Sequence, residues 1–144
     1  MSSAGAQTVP KVVVHIDGGA RGNPGPAAIG VVVSDPAGAI LDEFAETIGV
    51  ATNNVAEYTA LLRGVERAAA FGPQEVEFVN DSELVAKQIN GTYKVKHPAM
   101  KPLYEQATSA LRSQFDGRWG IRSVPRAQNA RADALVNEAL DGLR

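Results

Sequence analysis

Three short apolar segments near the amino terminus are separated only by tight turns, and this pattern restricts the fold more than any other. The segments Lys11–Asp17 and Ala27–Ser34 are rich in Val and Ile, and Ile40–Ile48 combines Ile with Phe and Thr; all these residue types favour strands. Gly18-Gly19 predicts the end of the first strand, and Asp35-Pro36-Ala37-Gly38 predicts a turn with Pro at its second position. Connections this short join antiparallel neighbours, so the sequence predicts a three-stranded meander.

After this meander the spacing of the apolar residues changes to steps of three and four. The positions Val55, Tyr58, Leu62, Val65 and Ala69 follow this spacing and predict an amphipathic helix that begins near Asn54 and ends near Phe71-Gly72-Pro73. The other predicted elements are a strand at Glu75–Asn80, a helix at Leu84–Ile89, a helix around Leu103–Leu111, a strand at Arg118–Val124 and a helix at Asn129–Leu140. The order βββαβααβα indicates an α/β domain around one mixed five-stranded sheet.

Length and composition fit one globular domain. The chain has 144 residues, of which 44% are hydrophobic and 21% charged, close to the globular average. The absence of cysteine excludes thiol nucleophiles and thiolate zinc sites. Residues 1–10 are small and polar, so we expect a flexible tail before a domain at 11–144. We expect a cytoplasmic monomer that does not enter a membrane, because no apolar run approaches the ~20 residues of a membrane span.

Charge is unevenly distributed along the chain. The formal net charge is −2, which is unusual for a protein that binds nucleic acid. Residues 84–126, however, contain eight Lys and Arg but only two acidic residues. This stretch could form solvated faces of a helix and a strand, or it could attract a polyanion, and charge alone does not decide between them.

Four acidic residues lie where predicted strands end or predicted helices begin. If the first strand points up, the third does too, and right-handed crossovers then make the fourth and fifth strands parallel to the first. Asp17 and Asp81 lie at the upper ends of strands one and four. Glu57 and Asp133 lie in the first turns of helices that begin at the same edge. The topology therefore predicts that the four carboxylates meet where open α/β sheets bind ligands.

Each of these acids also has an ordinary structural explanation. Glu57 fits a capping box that begins at Asn54, and Asp81 could cap the next helix. Asp133 could interact with a helix dipole, and Asp17 could form an Asx-turn. Four clustered carboxylates nevertheless repel one another and stabilise a fold only with cations. Oxygen ligands suit Mg²⁺ or Mn²⁺, so the cluster favours metal-dependent phosphodiester hydrolysis.

Four segments of the chain resemble the type 1 ribonucleases H, in the order and spacing of that family. They are Asp17–Ala27 (DGGARGNPGPA), Thr52–Glu57 (TNNVAE), Asp81–Val85 (DSELV) and Asn129–Leu135 (NARADAL). The resemblance covers about residues 11–140, and its first two motifs are highly specific. It implies a ribonuclease H-like fold with strand order 3-2-1-4-5 and flanking helices. It also implies an endonuclease that cuts the RNA strand of RNA–DNA hybrids, leaving 3′-hydroxyl and 5′-phosphate ends.

The resemblance implies a role for each acidic residue. Asp17 would bridge two Mg²⁺ ions, with Mn²⁺ as the expected substitute. Asp133 would help to hold the ion that activates the attacking water. Glu57 and Asp81 would hold the ion on the leaving-group side, with Glu57 also near a ribose 2′-hydroxyl.

The resemblance also implies that a second set of residues contacts the hybrid. Small residues would let the backbone approach the substrate closely, asparagine amides would reach sugars and base edges, and a threonine would contact a DNA phosphate. The set comprises Gly18, Gly19, Ala20, Asn23, Thr52, Asn53, Asn54 and Ser82.

The chain departs from many family members in two places. A long basic insertion between the second and third helices is replaced by residues 91–101, with Tyr93 and three lysines, so we expect weaker or differently placed hybrid binding. A histidine before the last helix is absent, and Arg126 is nearest to its position. Compact members of the family use Arg there. An Arg cannot act as a general base, so Arg126 is expected to act electrostatically on a phosphate or leaving group.

Two other functions are compatible with the same fold. One is a nucleic-acid-binding module without turnover, which the retention of four mutually repelling acids argues against. The other is a different nuclease, such as an exonuclease or a junction resolvase. The glycine-rich segment and the Asn53-Asn54 pair favour hybrid-specific hydrolysis.

Overall fold

A single mixed sheet of five strands forms the centre of the protein. The computed structural model describes residues 9–143. The strands are β1 (Lys11–Ala20), β2 (Gly25–Ser34), β3 (Ile40–Ala51), β4 (Glu75–Asn80) and β5 (Trp119–Ser123). Their order in the sheet is β3-β2-β1-β4-β5, so the predicted α/β class and the strand order 3-2-1-4-5 are confirmed.

Four α-helices flank this sheet. They are α1 (Asn53–Ala69), α2 (Glu83–Ile89), α3 (Lys101–Phe115) and α4 (Ala130–Asp141). A 3₁₀ turn at Arg126–Asn129 leads into α4, and the segment 90–100 between α2 and α3 contains neither helix nor strand. The predicted order βββαβααβα is confirmed. No helix among residues 9–143 has the length and apolar character needed to cross a membrane.

Strand directions follow from the connections. β1 pairs antiparallel with β2, which pairs antiparallel with β3. β1 and β4 are parallel, and so are β4 and β5. The predicted turn between β2 and β3 is closed by the Gly38 amide, which donates to the Asp35 carbonyl at 3.0 Å. The carboxyl ends of β1, β4 and β5 therefore lie at one edge of the sheet.

β1 is longer than its sequence predicts. The prediction that Gly18-Gly19 ends the strand is wrong, because pairing with β2 continues as far as Ala20 opposite Ala27. Gly18 continues the strand where α1 crosses it, since a Cβ at this position would lie 2.3 Å from the Ala56 carbonyl carbon. The missing side chain thus serves close packing of a helix on a strand and not a turn.

The core lies on both faces of the sheet. Val14, Leu61, Phe78 and Leu111 are fully buried between the sheet and the layer that contains α1 and α3. α4 covers β1 and β2 on the opposite face. Gly30 allows this, because a Cβ there would lie 2.6 Å from the Ala132 carbonyl oxygen. The start of α4 is consequently held against the sheet.

The predicted tail falls mostly outside the described residues. Residues 1–8 of the segment 1–10 are not described. Val9 belongs to the packed domain, because it lies against the core and its amide donates to the Phe71 carbonyl at 3.3 Å. The Pro10 carbonyl accepts the amides of Gln74 and Glu75, each at 3.1 Å.

Candidate active site

The edge where β1 and β4 end carries a cluster of carboxylates. One oxygen from each of Asp17, Glu57 and Asp81 lies within 4.8 Å of the others. Asp133 lies beside them, within hydrogen-bonding reach of Asp17. All four line an open cleft of about 770 Å³. The structure thus brings together the four acids that the topology argument placed at this edge.

The start of α1 positions Glu57. The alternative in which Glu57 belongs to a capping box that begins at Asn54 is wrong, because Thr52 is the N-cap and its hydroxyl accepts the Val55 amide at 3.2 Å. Glu57 is instead buried, and its Oε1 accepts the Gly18 amide at 3.2 Å. A single backbone hydrogen bond therefore links this carboxylate to the residue that follows Asp17.

The end of β4 positions Asp81. The side chain that caps α2 is Ser82, whose hydroxyl accepts the Val85 amide at 3.2 Å, so the alternative in which Asp81 caps this helix is wrong. The Ser82 amide in turn donates to Asn80 Oδ1 at 3.2 Å. Asp81 is left to face the cleft, with 12% of its side chain exposed.

A buried asparagine connects the last helix to β1. Asn129 is 1% exposed, and its Nδ2 donates to the Ile16 carbonyl at 2.8 Å. The bond joins the residue before α4 to the residue before Asp17. Asp133 lies in the first turn of that helix, so this link fixes the approach of Asp133 to Asp17.

Burial and mutual repulsion perturb two of the carboxyls. Burial raises the pKa of Asp17 to about 9, with further contributions from the charges of Glu57, Asp81 and Asp133. Burial and the charge of Asp81 raise the pKa of Glu57 to about 8, although the Gly18 amide opposes this shift. Without a cation the cluster therefore retains protons near neutral pH.

The donor set fits divalent cations of the Mg²⁺ and Mn²⁺ type. All the ligand atoms are carboxylate oxygens, which such ions prefer. A divalent cation would also supply the positive charge that lets Asp17 and Glu57 ionise together. Asp17, Glu57 and Asp81 are close enough to share one ion, and Asp133 extends the set on the α4 side.

Arg126 lies at the rim of the cleft. Its Nε is 3.5 Å from Asp81 Oδ2, and 80% of its side chain is exposed. The residue begins the 3₁₀ turn that leads into α4. Arg126 can therefore reach the cluster and still contact a molecule in the cleft.

The residues predicted to bind substrate divide into two groups. Those that line the cleft are Gly18, Gly19, Ala20, Asn53, Asn54 and Ser82. Asn23 and Thr52 are not among the lining residues. Asn23 Oδ1 accepts the Asn53 amide at 2.9 Å, and Asn53 Oδ1 accepts the Ala20 amide at 2.9 Å. Asn23 therefore ties the β1–β2 loop to α1, whereas Thr52 begins that helix.

Sequence reasoning missed two residues that line the cleft and one buried contact that supports it. Arg21 lines the cleft from the β1–β2 loop, and it could have been noticed as the one charged residue between Gly18 and Ala27. Asn137 lines it too, and its Nδ2 donates to the Asp133 carbonyl at 3.1 Å. Its position one helical turn after Asp133 was the available signal. The Asn129 contact with β1 has no signal in spacing or periodicity.

Comparison with known proteins shows which family this chain resembles. Residues 15–139 match the reverse transcriptase-like family. The chain is 48% identical over 131 residues to ribonuclease HI of Halobacterium salinarum, covering 91% of this chain and 65% of that protein. It is 49% identical over 132 residues to the bifunctional protein Rv2228c of Mycobacterium tuberculosis, covering 91% of this chain and 36% of that protein. The chain thus spans less than two thirds of the length of either relative.

Solved structures show the same architecture. The crystal structure of RNase H1 from Halobacterium salinarum has a TM-score of 0.87 and covers 92% of this chain and 98% of that chain. LC11-RNase H1 in complex with an RNA/DNA hybrid is 45% identical, with a TM-score of 0.87 over 91% of this chain and 97% of that chain. The acidic motifs match, their carboxylates meet in one cleft, and the relatives are similar over most of this chain. The chain therefore belongs to the type 1 ribonuclease H family.

Proposed function

We propose that the protein is an endoribonuclease that hydrolyses the RNA strand of RNA–DNA hybrids with the help of two divalent cations. The observation that carries this proposal is the meeting of Asp17, Glu57, Asp81 and Asp133 in one cleft. Carboxylates that hold protons near neutral pH in the metal-free protein repel one another when they ionise, and a bound metal ion relieves this repulsion. We further propose Mg²⁺ as the ion, with Mn²⁺ as its substitute.

The walls of the cleft support a hybrid as the substrate. The backbone of Gly18–Ala20 lines it without large side chains, and the exposed Asn54 offers an amide with donors and an acceptor. Such a group can bind the 2′-hydroxyl that distinguishes RNA from DNA. A similar protein, LC11-RNase H1, is known in complex with an RNA/DNA hybrid.

The mechanism assigns separate tasks to the residues of the cleft. The four carboxylates would hold the ions, which when bound supply activation of water and stabilisation of charge on the phosphate. The Gly18 amide fixes the orientation of Glu57 by its bond to Oε1. A guanidinium has N–H donors and no acceptor, so Arg126 would stabilise negative charge at the phosphate or leaving group and would not act as a general base.

The test compares three end-labelled duplexes, RNA–DNA, RNA–RNA and DNA–DNA, with and without Mg²⁺ or Mn²⁺. We expect the RNA of the hybrid to be cut at internal positions, leaving 5′-phosphate ends, and the DNA duplex to be spared. Asp17→Asn should abolish cleavage while the protein stays folded, as judged by circular dichroism.

Other outcomes would reject the proposal in identifiable ways. Binding of the hybrid without any cleavage would indicate a binding module. Cleavage from the ends of DNA, or at branched junctions, would indicate another nuclease. Cleavage of the hybrid in excess EDTA, or by Asp17→Asn, would reject the metal-dependent mechanism. We also propose that the protein acts as a monomer in the cytoplasm, which sedimentation and cell fractionation would test.

A further inference from the structure

The charges around the cleft are unbalanced for a polyanionic substrate. Within residues 9–143, five acidic residues line it, namely Asp17, Glu57, Asp81, Glu83 and Asp133. Among the described residues that line the cleft, the cations are Arg21 and Arg126. Arg126 follows β5, whereas Arg21 follows β1 on the side of β2. The two arginines therefore line the cleft from different strands, Arg21 after the central strand β1 and Arg126 after the edge strand β5.

Arg21 is held at the rim of the cleft by both its backbone and its side chain. Its amide donates to the Pro26 carbonyl at 2.8 Å, which closes the β1–β2 loop. Its Nη2 lies 2.8 Å from Asp141 Oδ1, at the carboxyl end of α4. A guanidinium has five N–H donors, so this ion pair leaves others available for a ligand.

The Arg21–Asp141 ion pair contributes little to the stability of the fold. The two side chains are 49% and 58% exposed, and ion pairs exposed to this degree contribute little to folding stability. The loop is closed by backbone hydrogen bonds and by the Asn53 contact with Ala20. The pair is therefore better explained by what it does to the direction of the guanidinium.

We propose that Arg21 binds a backbone phosphate of the nucleic-acid duplex on the α4 side of the cleft, and that Asp141 directs it there. This inference rests on the proposed function, because it assumes that a duplex occupies the cleft. Arg21 lies at the end of the strand that carries Asp17, so such a contact would fix the register of the duplex relative to the carboxylate cluster. Its role is binding and orientation of substrate, and the four acids retain the chemistry.

The experiment measures hydrolysis of a hybrid by Arg21→Gln over a series of salt concentrations. Loss of one phosphate contact should raise KM roughly three- to tenfold at moderate salt and reduce the slope of log kcat/KM against log salt by about 0.9. kcat should change much less than KM. Arg21→Lys should restore part of the affinity, because it retains the positive charge.

Arg63→Gln provides a matched control. Arg63 on α1 is also partly exposed and paired with two carboxylates, Glu46 and Glu66, but it does not line the cleft. This variant loses the same charge and should keep the original KM and salt slope. If Arg21→Gln and Arg63→Gln give the same KM and slope, the inference is overturned.

A binding measurement separates this inference from the proposed function. Anisotropy of a labelled hybrid is followed with Asp17→Asn and with Asp17→Asn carrying Arg21→Gln, so no turnover is needed. Weaker binding and a smaller salt slope in the double variant support the phosphate contact even if the wild-type protein fails to cut. Asp141→Asn should weaken hybrid binding when Arg21 is present. The same substitution should have no effect on binding in the Arg21→Gln background. An equal effect in both backgrounds would refute the directing role of Asp141.

Discussion

Asp17 and Glu57 are acidic residues that the fold places in an environment unfavourable to their charge. Asp17 is 6% exposed and Glu57 is 8% exposed, and each faces the charge of Asp81. Burial penalises an ionised carboxyl, and neighbouring carboxylates add repulsion. The hydrogen bond from the Gly18 amide lowers the pKa of Glu57 but offsets only part of the rise that burial causes. The residues that would hold a cation are thus the ones that destabilise the metal-free protein.

Asp17→Asn should therefore stabilise the metal-free protein at alkaline pH. The pKa of Asp17 is about 9 in the folded state against an ordinary value of 3.8, so the folded state holds the proton more tightly than the unfolded state. Stability conferred by this proton is present below about pH 4 and is lost as pH rises through the folded-state pKa. Urea unfolding in EDTA should show the variant more stable by ~1 kcal/mol or more at pH 8, with little difference at pH 4.

Glu105→Gln serves as the control for this measurement. Glu105 is an exposed carboxyl on α3 and does not line the cleft. Its removal should leave the difference in the free energy of unfolding between pH 4 and pH 8 as it is in the wild type. Parallel stability curves for Asp17→Asn and the wild type would contradict the account of the buried carboxyl.

At the scale of elements, the site depends on how closely β1 approaches α1. A Cβ at Gly18 would lie 2.3 Å from the Ala56 carbonyl oxygen and 2.7 Å from the Glu57 nitrogen. These are backbone atoms in the first turns of a helix, so they cannot move aside as a flexible side chain could. The contact joins the strand of Asp17 to the helix of Glu57 without any intervening side chain.

Gly18→Ala should lower the free energy of unfolding by about 3 kcal/mol, because the helix must be displaced from the strand. Gly19→Ala makes the same chemical change one residue further on. A Cβ there would lie 3.7 Å from Val136 Cγ1, an ordinary contact, so its effect should be within ~1 kcal/mol. Urea denaturation measures both variants, and equal losses would show that the β1–α1 contact is not the cause.

The limits of sequence reasoning also lie at the scale of elements. Connection lengths and the handedness of crossovers determined strand direction, which is why the meeting of the four acids could be predicted. The choice of cap could not be predicted. Thr52 and Asn54 lie two residues apart, Asp81 and Ser82 are adjacent, and the members of each pair have similar capping ability. Gly18-Gly19 predicts the end of a strand, because the pattern of one chain segment does not reveal which helix will cross it.

For the molecule as a whole, folding stability and cation binding should be linked. An ion that binds only the folded state stabilises it by about 1.4 kcal/mol at tenfold its dissociation constant. For a domain of this size, Mg²⁺ should then raise the melting temperature of the wild type by roughly 3–6 °C. EDTA should reverse the shift, and scanning calorimetry at pH 7 measures it.

Asp17→Asn with Asp81→Asn is the variant that tests whether the cluster causes this effect. It removes two of the three carboxylates that can share one ion, so the Mg²⁺-dependent shift should disappear. A shift of the same size in the double variant would place the stabilising ion elsewhere on the protein.

The backbone contact at Gly18 has a consequence for sequence variation. Because main-chain atoms of β1 and α1 set the separation of Asp17 and Glu57, that separation does not depend on which apolar side chains fill the interior. Substitutions among core residues can therefore change thermal stability while the spacing of these two carboxylates stays constant. Such changes in the interior are compatible with this spacing so long as a glycine remains at this one position.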